Sequence, residues 1–459
     1  MELNISEIEK AVKGKIVYNS GDIPKIKNII TDSRAAMPDS LFFAVKGGFF
    51  DGHDFIEQAI ENGAVGAVAQ KNNVKRIDLH GKNAALIAVN DTIKALSDAA
   101  KYYKSLLKKL TVTVGITGSV GKTITKEFMY SVLAQKYKTQ KNDGNKNNEI
   151  GLPMTVFSLG EGTEAVVLEM GMSDFGEIRG LSKTVNPDIA AITNIGTAHI
   201  AKLGSKEGIK KAKFEILEGM DKNSAIILNA DDPLLYAEKN KTGKKEYFFG
   251  IQNNEAGFKA ENTEVDFDTK RSFFTLENYR YTLPAPGIHY IYNALPAIAA
   301  GKIYGLSDEK IQAGLYDFKN VKMRQDIYEF NGITIIDDCY NASLESVNAA
   351  LETLSKINKN KKIAVLSDIL ETGGFANEIH KKIGEAALEY KIDKIFVCGE
   401  KSKLIFDFIN DIEKCVYFGD KSDIAKSLVC ETQNGGAVLF KASRGMALET
   451  VIEDFKKLF

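Results

Sequence analysis

Gly115-Ile116-Thr117-Gly118-Ser119-Val120-Gly121-Lys122-Thr123 follows an apolar, β-rich run and precedes a helical stretch that begins near Lys122. A strand that turns through glycines straight into a helix makes backbone N–H groups and the positive end of the helix converge on one spot, and phosphate binds such a spot well. Gly118 and Gly121 let the chain approach the anion, and Ser119 and Val120 lie between them to lend loop amides. Lys122 offers a point charge to the outer phosphates, and the Thr123 hydroxyl suits Mg²⁺. The strict phosphate-loop pattern has glycine where Ile116 stands, so the loop is a variant. Strand, Gly-Lys-Thr and helix taken together make ATP the expected ligand, against the alternative of a glycine-rich turn that binds nothing.

Outward from this loop, apolar strands alternate with amphipathic helices: residues 111–116, 165–168 and 189–193 read as strands. A last block repeats the pattern at 333–336, 363–366, 395–398 and 437–440. Such alternation predicts an α/β fold with mostly parallel sheets, the last block being Rossmann-like. The first hundred residues carry shorter apolar runs at 41–45 and 64–68, and the lysine-rich stretch 101–109 reads as a linker. At 459 residues the chain is too long for one core. We expect three domains, 1–108, 109–320 and 321–459.

Sixty basic side chains against 61 acidic ones leave no global field for nucleic acid or an anionic membrane. Any anion must be held locally. Cys339, Cys398, Cys415 and Cys430 form no CxxC pair, so neither a zinc ribbon nor a disulfide framework is signalled. The N-terminus MELNISEIEK is polar, and no apolar run approaches the roughly 18 residues of a membrane span. A cytoplasmic protein, not inserted in membrane and not bound to nucleic acid, is expected.

Glu169 ends the apolar run 165–168 at the edge where ligands gather in α/β sheets, a position that fits a magnesium ligand as well as an ordinary solvated glutamate. His199 lies just after the next strand, in Asn194-Ile195-Gly196-Thr197-Ala198-His199, where a loop at the same edge would bring it near Glu169. Lys213 is less defined, because Lys206, Lys210, Lys211 and Lys213 read equally as the wet face of one helix.

Together with these residues, further segments resemble the Mur ligase superfamily, and in particular its D-alanyl-D-alanine-adding branch. They are Thr31-Asp32-Ser33-Arg34, Phe42-Phe43-Ala44-Val45-Lys46-Gly47, Phe50-Asp51-Gly52-His53-Asp54-Phe55, Gly144-Asn145-Lys146-Asn147-Asn148-Glu149-Ile150-Gly151, Glu169-Met170-Gly171, Thr197-Ala198-His199, Ala212-Lys213, His289-Tyr290-Ile291-Tyr292-Asn293-Ala294-Leu295, Asp337-Asp338-Cys339-Tyr340-Asn341-Ala342-Ser343 and Lys441-Ala442-Ser443-Arg444-Gly445-Met446. The resemblance implies a three-domain architecture with a central phosphate-loop ATPase-like parallel sheet. It also implies an ATP- and Mg²⁺-dependent amide ligase that joins D-Ala-D-Ala to UDP-N-acetylmuramoyl-tripeptide through an acyl-phosphate, acting as a monomer.

By the same resemblance Lys122, His199 and Lys213 are catalytic. Thr123, Glu169, His199 and Lys213 hold the metal, with Lys213 as a carbamate. Asn293 meets the adenine, and Arg324, Asp338 and Asn341 meet the nucleotide when the last domain closes. Ser33, Arg34 and Asn148 contact the muramoyl peptide, and Lys441 with Arg444 takes the dipeptide carboxylate, a task suited to arginine. The sequence departs from the branch at Leu344, where proline is usual, and at Ser367, where glycine is usual. A sister ligase with another amino-acid acceptor and a nucleotide-binding subunit that does not ligate are the competing readings.

Overall fold

The computed structural model describes residues 2–459. Its centre is a seven-stranded sheet, parallel throughout, in the order Phe258–Lys259, Lys245–Gly250, Ala225–Asn229, Ile189–Ile192, Val112–Thr117, Ala165–Glu169 and Thr139–Lys141. Strands such as Ala165-Val166-Val167-Leu168 are apolar without alternation because both faces are covered, as parallel sheets require. The strand Val112–Thr117 lies between Ile189–Ile192 and Ala165–Glu169, with Ile116 opposite Glu169 and Thr117 opposite Ile192. Three neighbouring strands therefore end at one edge, and the residues that follow each of them meet there.

The phosphate-loop segment turns into the helix Lys122–Leu133. Ile124, Phe128, Met129 and Val132 of this helix are buried, and it packs on the helix Ile288–Ile303. Phe128 stacks on Phe318 with ring centroids 4.1 Å apart. Each large apolar side chain buried in this layer stabilises the fold by about 1.5–3 kcal/mol, so the loop hangs from a rigid support. A separate antiparallel sheet of Glu261–Asp266, Arg271–Leu276 and Tyr279–Leu283 adjoins this layer, an element the sequence reading did not anticipate.

Before this region lies a five-stranded sheet, ordered Lys15–Asn19, Ala85–Val89, Ala64–Gln70, Ser40–Phe43, Asn28–Ile30, parallel except for its first pair. After it lies a six-stranded sheet, ordered Asp326–Phe330, Ile333–Asp338, Gly436–Lys441, Lys362–Ser367, Lys394–Cys398, Cys415–Phe418, again parallel except for its first pair. The lysine-rich stretch read as a linker is largely ordered helix: Thr92–Leu106 buries Ala95, Leu96, Ala99, Ala100 and Tyr103. It docks on the central region, where the Tyr103 hydroxyl donates to the Leu159 carbonyl at 2.6 Å and Lys104 donates to the Val185 carbonyl. Lys94 and Lys101 face water while alanines and aromatics pack, which the charge count concealed. Among the described residues no helix is long and apolar enough to cross a membrane.

Candidate active site

Two glycines in left-handed conformations shape the loop. Gly118 has φ +148° and a Cβ there would lie 1.9 Å from Thr193 Oγ1; Gly121 has φ +85° and a Cβ there would lie 2.2 Å from Asn293 Oδ1. Both conformation and space therefore demand glycine. The turn between them is tied to the neighbouring strand end: Val120 N–H donates to Asn194 Oδ1 at 2.9 Å, Asn194 Nδ2 donates to the Val120 carbonyl at 3.1 Å, and Gly196 N–H donates to Ser119 Oγ at 2.8 Å. Thr193 and Asn194, which sequence reading passed over, thus hold the loop in register. Lys122 Nζ folds back onto the Gly118 and Ser119 carbonyls at 2.9 and 3.3 Å.

Glu169, 3 % exposed, ends its strand facing this loop. The Thr123 hydroxyl donates to its Oε2 and Asn147 Nδ2 donates to its Oε1, both at 2.9 Å. Arg324 Nη2 comes to 3.3 Å from Thr123 Oγ1 and its guanidinium lies over the Tyr340 ring, 4.0 Å from the centroid. The last block of the chain thereby reaches the phosphate loop.

Burial and neighbouring charge together set the ionisation of the groups around the loop. Burial pushes the Lys122 pKa down, partly offset by Glu169 and reinforced by Arg324. Burial drives Lys213 well below the usual lysine range, and the charge of Lys122 adds to this. Lys213 is 2 % exposed, and no carboxylate pairs with it among the described residues. Burial also lowers His199, as do Lys122 and Lys213, against the pull of Glu371. His199 itself sits at φ +63°, and its Nδ1 lies 2.5 Å from Glu371 Oε2. Lys122 and Arg324 both line the cavity at the loop, where they can meet an anion.

Of the side chains expected to hold a divalent ion, the Thr123 hydroxyl and Glu169 carboxylate already touch. Among the described residues no group of three or more His, Cys, Asp or Glu side chains is close enough to hold a metal ion. A hydroxyl and a carboxylate oxygen side by side suit a small hard cation such as Mg²⁺, which completes its shell with waters and phosphate oxygens.

A cavity of about 630 Å³ opens beside the loop between the central region and the last block. Ser119, Val120, Gly121, Lys122, Thr123, Asn293, Arg324, Asp338, Asn341 and Lys441 all line it, joined by Asp231, Tyr292, His289 and Glu345, which the sequence reading did not single out. Tyr292 donates to Asp231 Oδ2 at 2.7 Å, and that carboxylate also accepts from Ile251 and Asn253 N–H at 2.7 and 2.6 Å, so this wall is rigid. Glu345 accepts from the Thr197 hydroxyl at 3.0 Å, a second contact across the cleft.

Other expected site residues lie elsewhere. Ser33 Oγ donates to Gln58 Oε1 at 3.2 Å, and Arg34, 85 % exposed, pairs with Asp32 at 2.7 Å, both in the first sheet's region. Asn148 accepts from Ile150 and Gly151 N–H at 3.2 and 2.8 Å, so it shapes the entry to the helix Gly151–Phe157; its neighbour Asn147 is the one that touches Glu169. Lys441 and Arg444 do not share an anion position: Lys441 is buried against Asp338 at 2.6 Å, whereas Arg444 is exposed and pairs with Glu449 at 2.8 Å. The strand end between them turns, sending Lys441 into the cavity and Arg444 outside its lining.

Comparison with known proteins agrees with this architecture. Residues 25–104 match the family model described as Mur ligase family, catalytic domain; 116–301 match the Mur ligase middle domain; 323–444 match the Mur ligase, glutamate ligase domain. The chain is 38 % identical over 460 residues to the UDP-N-acetylmuramoyl-tripeptide--D-alanyl-D-alanine ligase of Bacillus subtilis (strain 168), covering 98 % of this chain and 97 % of that one. It is 32 % identical over 461 residues to the ligase of the same name from Escherichia coli (strain K12), covering 98 % of each. Crystal structure I of MurF from Acinetobacter baumannii superposes with a TM-score of 0.92 at 29 % identity, covering 100 % of this chain and 99 % of that one. The MurF ligase of Thermotoga maritima in complex with ADP gives 0.83 at 29 % identity, covering 94 % and 97 %. With all three regions matched in order along the chain, this protein belongs to the Mur ligase family.

Proposed function

We propose that this chain is the ATP-dependent ligase that joins D-alanyl-D-alanine to the free carboxylate of UDP-N-acetylmuramoyl-tripeptide. The observation that carries the reading is the meeting, at the ends of three adjacent strands, of the phosphate loop, Glu169 and the segment leading to His199, beneath a cavity roofed by the last block. Relatives bearing that activity in their names, matched over nearly the whole chain, supply the substrates.

In this reading residues 1–108 hold the nucleotide-linked peptide, 109–320 bind ATP, and 321–459 close on it and receive the dipeptide. Ser33, Arg34 and Asn148 serve the first task. Gly118 to Thr123 cradle the phosphates, Asn293 meets the base, and Arg324, Asp338 and Asn341 complete the nucleotide site. Lys122 leaves the loop carbonyls for the outer phosphates, where charge stabilisation governs phosphoryl transfer. Thr123, Glu169 and His199 would hold Mg²⁺, which when bound draws charge from the phosphate oxygens. Burial and Lys122 lower the Lys213 pKa and so favour the neutral amine, the form that takes up CO₂ with release of a proton, and the carbamate so formed would place a negative charge beside the site.

The peptide carboxylate attacks the γ-phosphorus, ADP leaves, and the dipeptide amine then attacks the acyl-phosphate carbonyl and expels phosphate. Closure of the last block excludes water from that intermediate. The Arg324 contact with Thr123 and the Glu345 contact with Thr197, both across the cleft, support this reading of closure. Because Lys441 is committed to Asp338, the dipeptide carboxylate falls to Arg444 more than to the pair. We place the enzyme in the cytoplasm as a monomer, where ATP and the nucleotide-linked peptide are at hand.

Incubation with ATP, Mg²⁺, UDP-N-acetylmuramoyl-tripeptide and D-Ala-D-Ala should release one phosphate for each pentapeptide detected by mass. Lys122→Ala should lose both signals. Turnover of ATP without the new amide would instead favour a nucleotide-binding subunit that does not ligate.

A further inference from the structure

Glu169 is held at both ends of its side chain and at both main-chain groups, and only the Thr123 contact belongs to the phosphate loop. The buried Asn142, 1 % exposed, accepts from Glu169 N–H with Oδ1 at 2.9 Å and donates Nδ2 to the Glu169 carbonyl at 3.0 Å and to the Lys146 carbonyl at 2.9 Å. Lys126, 2 % exposed on the phosphate-loop helix, donates to the Asn142 carbonyl at 2.8 Å. One carboxamide thus fixes the Glu169 backbone and the stretch that carries Asn147. From that stretch Asn147 sends Nδ2 to Glu169 Oε1, while its own carbonyl accepts from Gly171 N–H at 2.8 Å. Gly171 is packed so closely on the Asn147 side chain that a Cβ would come within 3.0 Å of it, so the amide has little room to swing.

We propose that Asn147 is a positioning residue for the Glu169 carboxylate, orienting it for a divalent ion, and that Asn142 supplies the frame from which it acts. The inference rests on the reading of Glu169 as an ion ligand. A carboxylate has about four lone-pair directions and will rotate unless something takes one oxygen. An arginine or lysine would also fix it, but would neutralise the charge that the ion needs. A neutral amide on Oε1 fixes the plane without cancelling the carboxylate's net charge, and so presents Oε2, the oxygen beside the Thr123 hydroxyl, in a set direction. Outer partners of this kind are typically worth 10- to 100-fold in metal affinity or activity.

The test uses the full chain, a non-hydrolysable ATP analogue and Mn²⁺ in place of Mg²⁺, with free Mn²⁺ read by electron paramagnetic resonance. Asn147→Leu keeps the volume and removes the amide, Asn147→Ala removes both, and Glu169→Gln removes the charge itself. We expect nucleotide-dependent Mn²⁺ binding to weaken about 10- to 100-fold in both Asn147 variants, with unchanged melting temperature and unchanged KM for the tripeptide. Asn142→Ala should weaken Mn²⁺ binding and lower the melting temperature as well. If both Asn147 variants bind Mn²⁺ within about twofold of the parent while Glu169→Gln loses it, the positioning role is wrong and the Glu169 reading stands. If Glu169→Gln also binds as the parent does, the reading beneath the proposal falls, and the proposal with it.

Discussion

Asn293 Oδ1 stands 2.2 Å from where a Cβ on Gly121 would be. The helix Ile288–Ile303 and the phosphate loop are therefore built around each other, and the residue proposed to meet the base also sets how tightly the loop turns.

Gly121→Ala should disturb both. The substituent meets the Asn293 amide, and φ +85° is strained for any L side chain. Strain of this kind costs about 1–3 kcal/mol, so a lower melting temperature together with loss of nucleotide binding by calorimetry is expected. Unaltered ATP-analogue affinity in a stable Gly121→Ala protein would contradict this geometry.

Lys213 gives a prediction in pH. Its folded-state pKa lies well below the ordinary lysine value because of burial and of Lys122. Between the two pKa values the unfolded chain binds more protons than the folded one, so this group makes stability rise as pH rises toward the unfolded value near 10.5. Its burden on the fold is largest at the acid end of that window. Lys213→Met should therefore raise the melting temperature at pH 7 and flatten the rise between pH 7 and 9.5, while abolishing ligation. Melts across that range check it; an unchanged slope would remove the desolvated amine from the account.

Lys441 and Arg444 should part company. Removing one partner from a buried pair costs about 3–5 kcal/mol, and Lys441 is paired with Asp338 at 2.6 Å in the interior. Lys441→Ala should unfold early and bind nucleotide poorly. Arg444 is exposed, with one surface partner in Glu449, so Arg444→Ala should leave the melting temperature unmoved and raise KM for the dipeptide. Equal effects on dipeptide KM alone would restore the pair as a joint carboxylate clamp.

The phosphate loop was legible because its parts are consecutive: strand, glycines, lysine, threonine and helix occupy one stretch. Glu169 and the segment to His199 followed because each ends or follows a strand, and parallel strands end at a common edge. What was hidden depends on which way a side chain faces. Lys213 looked like one lysine of a wet face, yet in the helix Lys206–Phe214 it shares the buried face with Ile209 and Ala212, a three- and four-residue spacing that the lysine count masked. Asn147 and Asn148 are adjacent and chemically equal, and only the turn before the helix Gly151–Phe157 decides that the first reaches Glu169. The separation of Lys441 from Arg444, likewise, is made by a turn after a strand. Ser367 donates to the Cys398 carbonyl and Leu344 opens a helix capped by Ser343, so both departures from the family pattern are accommodated locally.

The central claim is that the phosphates held by Gly121, Lys122 and Thr123 activate a carboxyl group of the peptide. Tripeptide substrate labelled with ¹⁸O in its terminal carboxylate tests it, with the released phosphate read by mass. The account predicts that each phosphate carries an oxygen from the peptide, in step with pentapeptide formation. Pentapeptide formed with unlabelled phosphate would contradict it.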